Sequence, residues 1–171
     1  MHDDHDDHED HDHDEHGNPV DEHSALHLEL HRAVDELGKY AIEIEFDPKG
    51  GIPKERMKQF IDDLMRTVTA NCMNNGADLV GHVKSFLLVD DGNIMSSIVD
   101  ENKPTRIKDA VESDTIHKSK FVLHVIVHGI WDDKIRSLTL EVLPGICRKW
   151  NMPYRIIADY FDVEKSIAHH T

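Results

Sequence analysis

The sequence is poor in cysteine, in aromatic residues and in positive charge. Two cysteines in 171 residues exclude a disulfide framework and a cysteine-bound iron–sulfur cluster. The 19 Lys and Arg against 34 Asp and Glu give a formal net charge of −15, which argues against nucleic acid or an anionic membrane as a direct partner. No apolar run approaches the roughly 18–20 residues that span a bilayer, and the first residues resemble neither a secretory signal nor a transit peptide. We therefore expect a cytoplasmic protein.

Histidine and acid are present in excess, and both are concentrated at one end. Residues 2–16 consist entirely of six His, seven Asp and two Glu, so they carry −9 of the −15 net charge. This block has no apolar residue to bury, and its like charges repel one another, so we predict a disordered tail over residues 1–20. The rest of the chain has the composition of an ordinary globular domain.

Hydrophobic periodicity predicts a leading amphipathic helix over residues 21–38 and an α+β domain over residues 39–171. Alternating or β-branched runs predict strands, and apolar residues at spacings of three and four predict helices. The polar segment 101–120 is expected to be irregular, with room for one helical turn. The predicted strands are 40–46, 79–89, 94–99, 121–130 and 154–161, and the later predicted helices are 54–75 and 132–150.

The order of these elements suggests two βαβ halves, with both helices on one face of an antiparallel sheet. This order resembles the ferredoxin-like fold, and the resemblance concerns element order alone. Because that fold hosts many unrelated activities, it predicts no function. Pro144 and Gly145 predict a kink or an early end in the last helix, and Cys72 and Cys147 fall on apolar helix stripes as buried thiols.

The tail carries the clearest functional signal. Neutral imidazole suits Ni²⁺, Co²⁺ and Zn²⁺, while carboxylates add charge and oxygen donors, so we predict several exchangeable metal sites of moderate affinity. The alternative is a solvated acidic tail that raises solubility. In composition the tail is similar to the His/Asp-rich segments of nickel chaperones, zinc-transport proteins and some cobalt-handling GTPases. The predicted tail ligands are His2, His5, His8, His11, His13 and His16.

Three further histidines follow the tail on the predicted leading helix. His23, His27 and His31 are spaced by four residues, so they lie along one strip of that helix. Two histidines at this spacing can share a metal ion. The alternative is a solvated helix flank.

The predicted sheet holds His82, His124 and His128. The last two share one strand face about 13 Å apart, too far to bind one ion. His82 can meet one of them across neighbouring strands and form a two-histidine core, to which acids or tail histidines add. The alternative is a surface feature without function.

These signals predict a metal-binding chaperone or storage protein that collects Ni²⁺, or else Co²⁺ or Zn²⁺. It would deliver the metal to a client metalloprotein or to an assembly factor. The chain has no phosphate-binding glycine loop and no HExxH, CxxC or GxSxG motif, so no enzyme is predicted. Two alternatives stay open: a small-molecule-binding regulatory module that forms a homodimer through its sheet, and a metal chelatase that uses a sheet histidine as base.

Overall fold

The computed structural model describes residues 36–161, so the predicted tail and nearly all of the leading helix lie outside the described residues. The described part is an α+β protein with two helices and a mostly antiparallel sheet. Its elements are, in chain order, β1 Leu37–Phe46, β2 Ile52–Pro53, α1 Lys54–Asn74, β3 Leu79–Val89, β4 Gly92–Ile98, β5 Arg106–Asp109, β6 Thr115–Ile116, β7 Ser119–His128, α2 Asp132–Lys149 and β8 Tyr154–Asp159.

Six of the strands form one sheet in the order β5-β4-β3-β7-β1-β8. Every pairing between these neighbours is antiparallel. The neighbouring strands β1 and β7 stay in register over ten residues, from Leu37 opposite His128 to Phe46 opposite Ser119. The strand that carries His124 and His128 therefore lies inside the sheet, between β3 and β1.

Both helices pack on the same face of this sheet. Along β1 the apolar residues Tyr40, Ile42, Ile44 and Phe46 are buried, while the residues between them stay partly exposed. The helices also contact each other, because the side-chain amide of Asn71 in α1 donates a hydrogen bond of 3.1 Å to the Leu138 carbonyl in α2. No described helix covers the opposite side of the sheet, which we call the uncovered face.

Three phenylalanines at the centre of the covered side join the sheet to α1. The Phe46 ring meets the Phe60 ring edge-to-face with 5.0 Å between centroids. Phe121 lies 5.4 Å from Phe46 by the same measure. All three side chains have no exposed surface, so this contact anchors α1 to the two central strands.

Three details differ from the sequence predictions. Strand β1 begins at Leu37, inside the predicted leading helix, and Gly38 packs so closely that an added Cβ would lie 2.1 Å from the Ile130 carbonyl oxygen. The segment 101–120 contains β5 and β6 and no helical turn. Helix α2 continues past Pro144 to Lys149, so the predicted early end is wrong. Pro144 is exposed, while Leu143 and Ile146 are buried.

Replacing Phe60 with alanine should lower the free energy of unfolding by about 3–5 kcal/mol, because a large cavity opens in the core. Phe86→Ala is the matched control, since Phe86 lies on the uncovered face with 37 % of its surface exposed. We expect the control to cost about 1 kcal/mol or less. Urea unfolding of both variants measures the difference, and equal losses would contradict the one-sided packing.

Candidate functional site

Nine of the twelve predicted metal-binding histidines lie outside the described residues. These are His2, His5, His8, His11, His13, His16, His23, His27 and His31. The other three, His82, His124 and His128, are described, and all lie on β3 or β7. They are partly buried on the uncovered face.

His82 and His124 are brought together on neighbouring strands. Their ring centroids are 5.5 Å apart with an angle of 72° between the rings. In the register, His124 lies opposite Lys84 and His82 lies opposite Ile126, so the two histidines are diagonal neighbours. Two imidazoles on one tetrahedral zinc ion have centroids about 5 Å apart. The spacing of this histidine pair therefore suits a shared metal ion.

The surroundings of the pair favour the neutral form of His82. Partial burial lowers the pKa of His82, and the nearby Lys84 and His124 lower it further. A neutral imidazole is the form that binds a metal. Lys84, however, also repels a divalent cation, so a metal ion here requires negatively charged ligands in addition to the two histidines.

The pair supplies only part of a metal site. Among residues 36–161, no group of three or more His, Cys, Asp or Glu side chains is arranged to hold a metal ion. A closed zinc site needs four ligands. The remaining ligands would have to come from outside the described residues or from another molecule.

His128 has a different environment, although it lies on the same strand as His124. Its Nδ1 atom is 2.6 Å from the Asp78 carboxylate, and its Nε2 atom is 3.1 Å from the Glu36 carboxylate. The hydrogen bond with Asp78 raises the pKa of His128, and the charges of Asp78 and Glu36 contribute. Because both ring nitrogens meet carboxylates, this geometry favours an imidazolium that donates two hydrogen bonds over a metal ligand.

A groove of about 460 Å³ adjoins the histidine pair on the uncovered face. Phe86, Met95 and Val122 form an apolar floor, and the register places them in one row across β7, β3 and β4. The rest of the lining is mainly cationic or polar and includes Lys84, Arg106, Lys108 and His124. This groove was not predicted from the sequence. Its only sequence signal is the alternation of Lys84, Phe86 and Leu88 along β3, and this alternation locates the groove only when the strand order is known.

The two cysteines lie away from this site. Both are buried, as predicted, and neither forms a disulfide. Burial raises the pKa of Cys72 to about 11 and that of Cys147 to about 12. Since the thiolate is the metal-binding form, neither cysteine is prepared to act as a ligand.

The contacts of His128 make its contribution to stability depend on pH. A raised pKa in the folded state means that His128 stabilises the protein fully below its ordinary value of about 6.5. This stabilisation is lost as the pH rises through the raised pKa. We expect His128→Asn to lower the urea midpoint more at pH 6 than at pH 9. His117→Asn, at an exposed loop position, is the control, and an equal effect of His128→Asn at both pH values would contradict the ion pairs.

No protein-family model matches the chain, and no curated protein or solved structure matches it either. Within the described residues, no helix is both long and apolar enough to cross a membrane. The residues that carry a function must therefore be identified from the chemistry and geometry of this chain alone.

Proposed function

We propose that this protein binds a divalent transition metal and delivers it to a client metalloprotein or an assembly factor. Ni²⁺ is the first choice, with Co²⁺ and Zn²⁺ as alternatives, because imidazole and carboxylate together suit these ions. The observation that carries the proposal is the 5.5 Å separation of the His82 and His124 rings on the uncovered face. The composition of residues 2–16 supports it independently.

The two groups of ligands have complementary properties. Residues 2–16 offer six imidazoles and nine carboxylates without a core to fix them, so they would collect ions at several exchangeable sites. The His82–His124 pair is held by paired strands, so it offers fewer ligands in a fixed geometry. Metal would move from the first group to the second by ligand exchange, as donors replace one another at the ion. The client metalloprotein or assembly factor would then receive the metal from the His82–His124 pair.

We also infer that the domain has the ferredoxin-like arrangement. The units β1-α1-β3 and β7-α2-β8 form two βαβ halves, and their strands are ordered β3-β7-β1-β8 within the sheet. Strands β4 and β5 extend this core beyond β3. The extension widens the uncovered face beside the histidine pair and forms part of the groove.

A second candidate function is suggested by the groove. Its apolar floor and cationic rim suit a small anionic molecule with an apolar part, as expected for a regulatory binding module. A ligand-dependent rise in melting temperature that persists without residues 1–20 would favour this function over metal delivery. A chelatase is not proposed, because His128 contacts Asp78 and Glu36 and does not join the other two sheet histidines.

Metal stoichiometry tests the proposal directly. In equilibrium dialysis against Ni²⁺ at pH 7.5, a variant lacking residues 1–20 should lose most of the bound ions, because it lacks six imidazoles and nine carboxylates. In the full chain, His82→Asn and His124→Asn should each remove the tightest class of sites. His128→Asn is the matched control and should leave binding unchanged. Equal stoichiometry with and without residues 1–20 would overturn the proposal.

Metal loading should also fall in acid, because histidine ligands must be deprotonated. Histidines with an ordinary pKa of about 6.5 become protonated first, so the sites of residues 2–16 should empty below about pH 6. Since the pKa of His82 is lowered, binding at the histidine pair should persist to a lower pH. Dialysis at pH 7.5, 6 and 5 measures both steps, and loading that does not change across this range would contradict histidine ligation.

A further inference from the structure

We propose that residues 2–16 dock on the uncovered face of the same chain, held by a band of four cationic side chains. The band consists of Lys84 on β3, Arg106 and Lys108 on β5, and Lys120 on β7. The docking itself requires no metal. Its consequence for metal transfer rests on the function proposed above.

The strand register places three members of the band close together. Lys84 lies opposite Ser97, which lies opposite Arg106, so these two cations are in one row across the sheet. Lys108 lies opposite Met95 in the next row, and Lys120 lies opposite Leu88 in the row beyond it. Adjacent strands are about 4.8 Å apart. Lys84 and Arg106 are therefore roughly 10 Å apart and Arg106 and Lys108 roughly 7 Å apart, whereas Lys120 lies roughly 14 Å or more from the other three. The three cations on β3 and β5 repel one another at low ionic strength, and a bound polyanion would relieve this repulsion.

The band has no internal counterion within residues 36–161. All four side chains are exposed, and none forms an ion pair with another described residue. Two acids of the uncovered face, Glu43 and Glu45, lie on β1, and Glu45 lies directly opposite Lys120 in the register of β1 and β7. Both are engaged by other groups. Glu45 pairs with Lys118 and Arg155 at 3.1 Å each, while Glu43 accepts a hydrogen bond of 3.0 Å from Tyr160.

Charge complementarity identifies the occupant. Residues 36–161 contain 17 Lys and Arg and 19 Asp and Glu, so the described domain is close to neutral, whereas residues 2–16 carry −9. The segment is also attached nearby, because Glu36, the first described residue, contacts His128 on the same strand as His124. The 19 residues between His16 and Glu36 can span up to about 60 Å when extended. His124 is only about 13 Å from His128, so the segment reaches the band easily.

The groove floor is compatible with this occupant. Residues 2–16 have no aliphatic side chain, yet six of them carry imidazole rings. Imidazole has an apolar body and a polar edge, so it can pack on Phe86 and Met95 while the neighbouring carboxylates meet the band. A docked segment would then place carboxylates and imidazoles beside Lys84, next to the His82–His124 pair. It would supply the negative ligands that the pair lacks.

Zero-length carbodiimide cross-linking of the full chain tests the docking. The reaction joins carboxylates to lysine amines in contact. Metal is first removed with EDTA, the EDTA is then dialysed away because its own carboxylates would react, and the coupling is run at low salt. We expect residues 2–16 to couple to Lys84, Lys108 and Lys120 with at least fivefold higher yield than to Lys49 and Lys134. These two control lysines are exposed and lie outside the uncovered face. Salt at 0.5 M should reduce the coupling severalfold, because it screens charges beyond about 4–5 Å.

Two further measurements make the result decisive. The full-chain variant R106Q/K108Q should lower coupling to the unchanged Lys84, since half of the band is neutralised. A mixture of ¹⁴N- and ¹⁵N-labelled chains separates coupling within a chain from coupling between copies. Equal yields at the control lysines, or coupling mainly between differently labelled chains, would overturn the proposal. If the cross-linking fails but the chain still binds metal, only the docking is overturned. If the cross-linking succeeds but the chain binds no metal, only the proposed function is overturned.

Discussion

The packing of two helices against a single face of the sheet determines where everything else in this protein lies. Phe46 on β1 meets both Phe60 of α1 and Phe121 of β7, and all three rings lie on the buried side of the sheet. A shift of β7 by one residue would bury His124 and expose Val125. The burial of Leu123, Val125 and Val127 therefore holds His124 on the uncovered face, where it meets His82.

The uncovered face concentrates charge that the whole-chain composition conceals. A protein with a net charge of −15 nevertheless presents a cationic surface over β5, β4 and β3. That surface opposes the approach of a free divalent cation to the histidine pair, because Lys84 lies directly opposite His124 and two residues from His82 on β3. Under the proposed function, metal binding at this pair would therefore require an anionic donor that neutralises the lysine. Residues 2–16 would combine that charge with metal ligands.

The sequence was sufficient for those features that depend on local pattern. Alternation predicted β1, a hairpin turn signal between two apolar runs predicted β3 and β4, and a β-forming run predicted β7, each to within a few residues. Helical spacing predicted α1 and α2. The short strands β5 and β6 were missed because four- and two-residue strands show little periodicity. The sequence also did not show which histidine lies beside His82, since only the strand register distinguishes His124 from His128. The Asp78–His128 contact joins residues 50 positions apart, so no local pattern marks it.

His124 and His128 are identical side chains with different properties, because the groups beside them differ. The two lie four residues apart on one strand face, yet His128 has carboxylates at both ring nitrogens, while His124 has another imidazole beside it and Lys84 opposite it. Carboxylates stabilise the protonated ring, which then has no lone pair for a metal. At the pair, a second positive charge is costly, and the pKa of His82 is lowered accordingly. The same face thus favours the protonated ring at His128 and the neutral ring at His82, so under the proposed function a metal ion would have one preferred place on it.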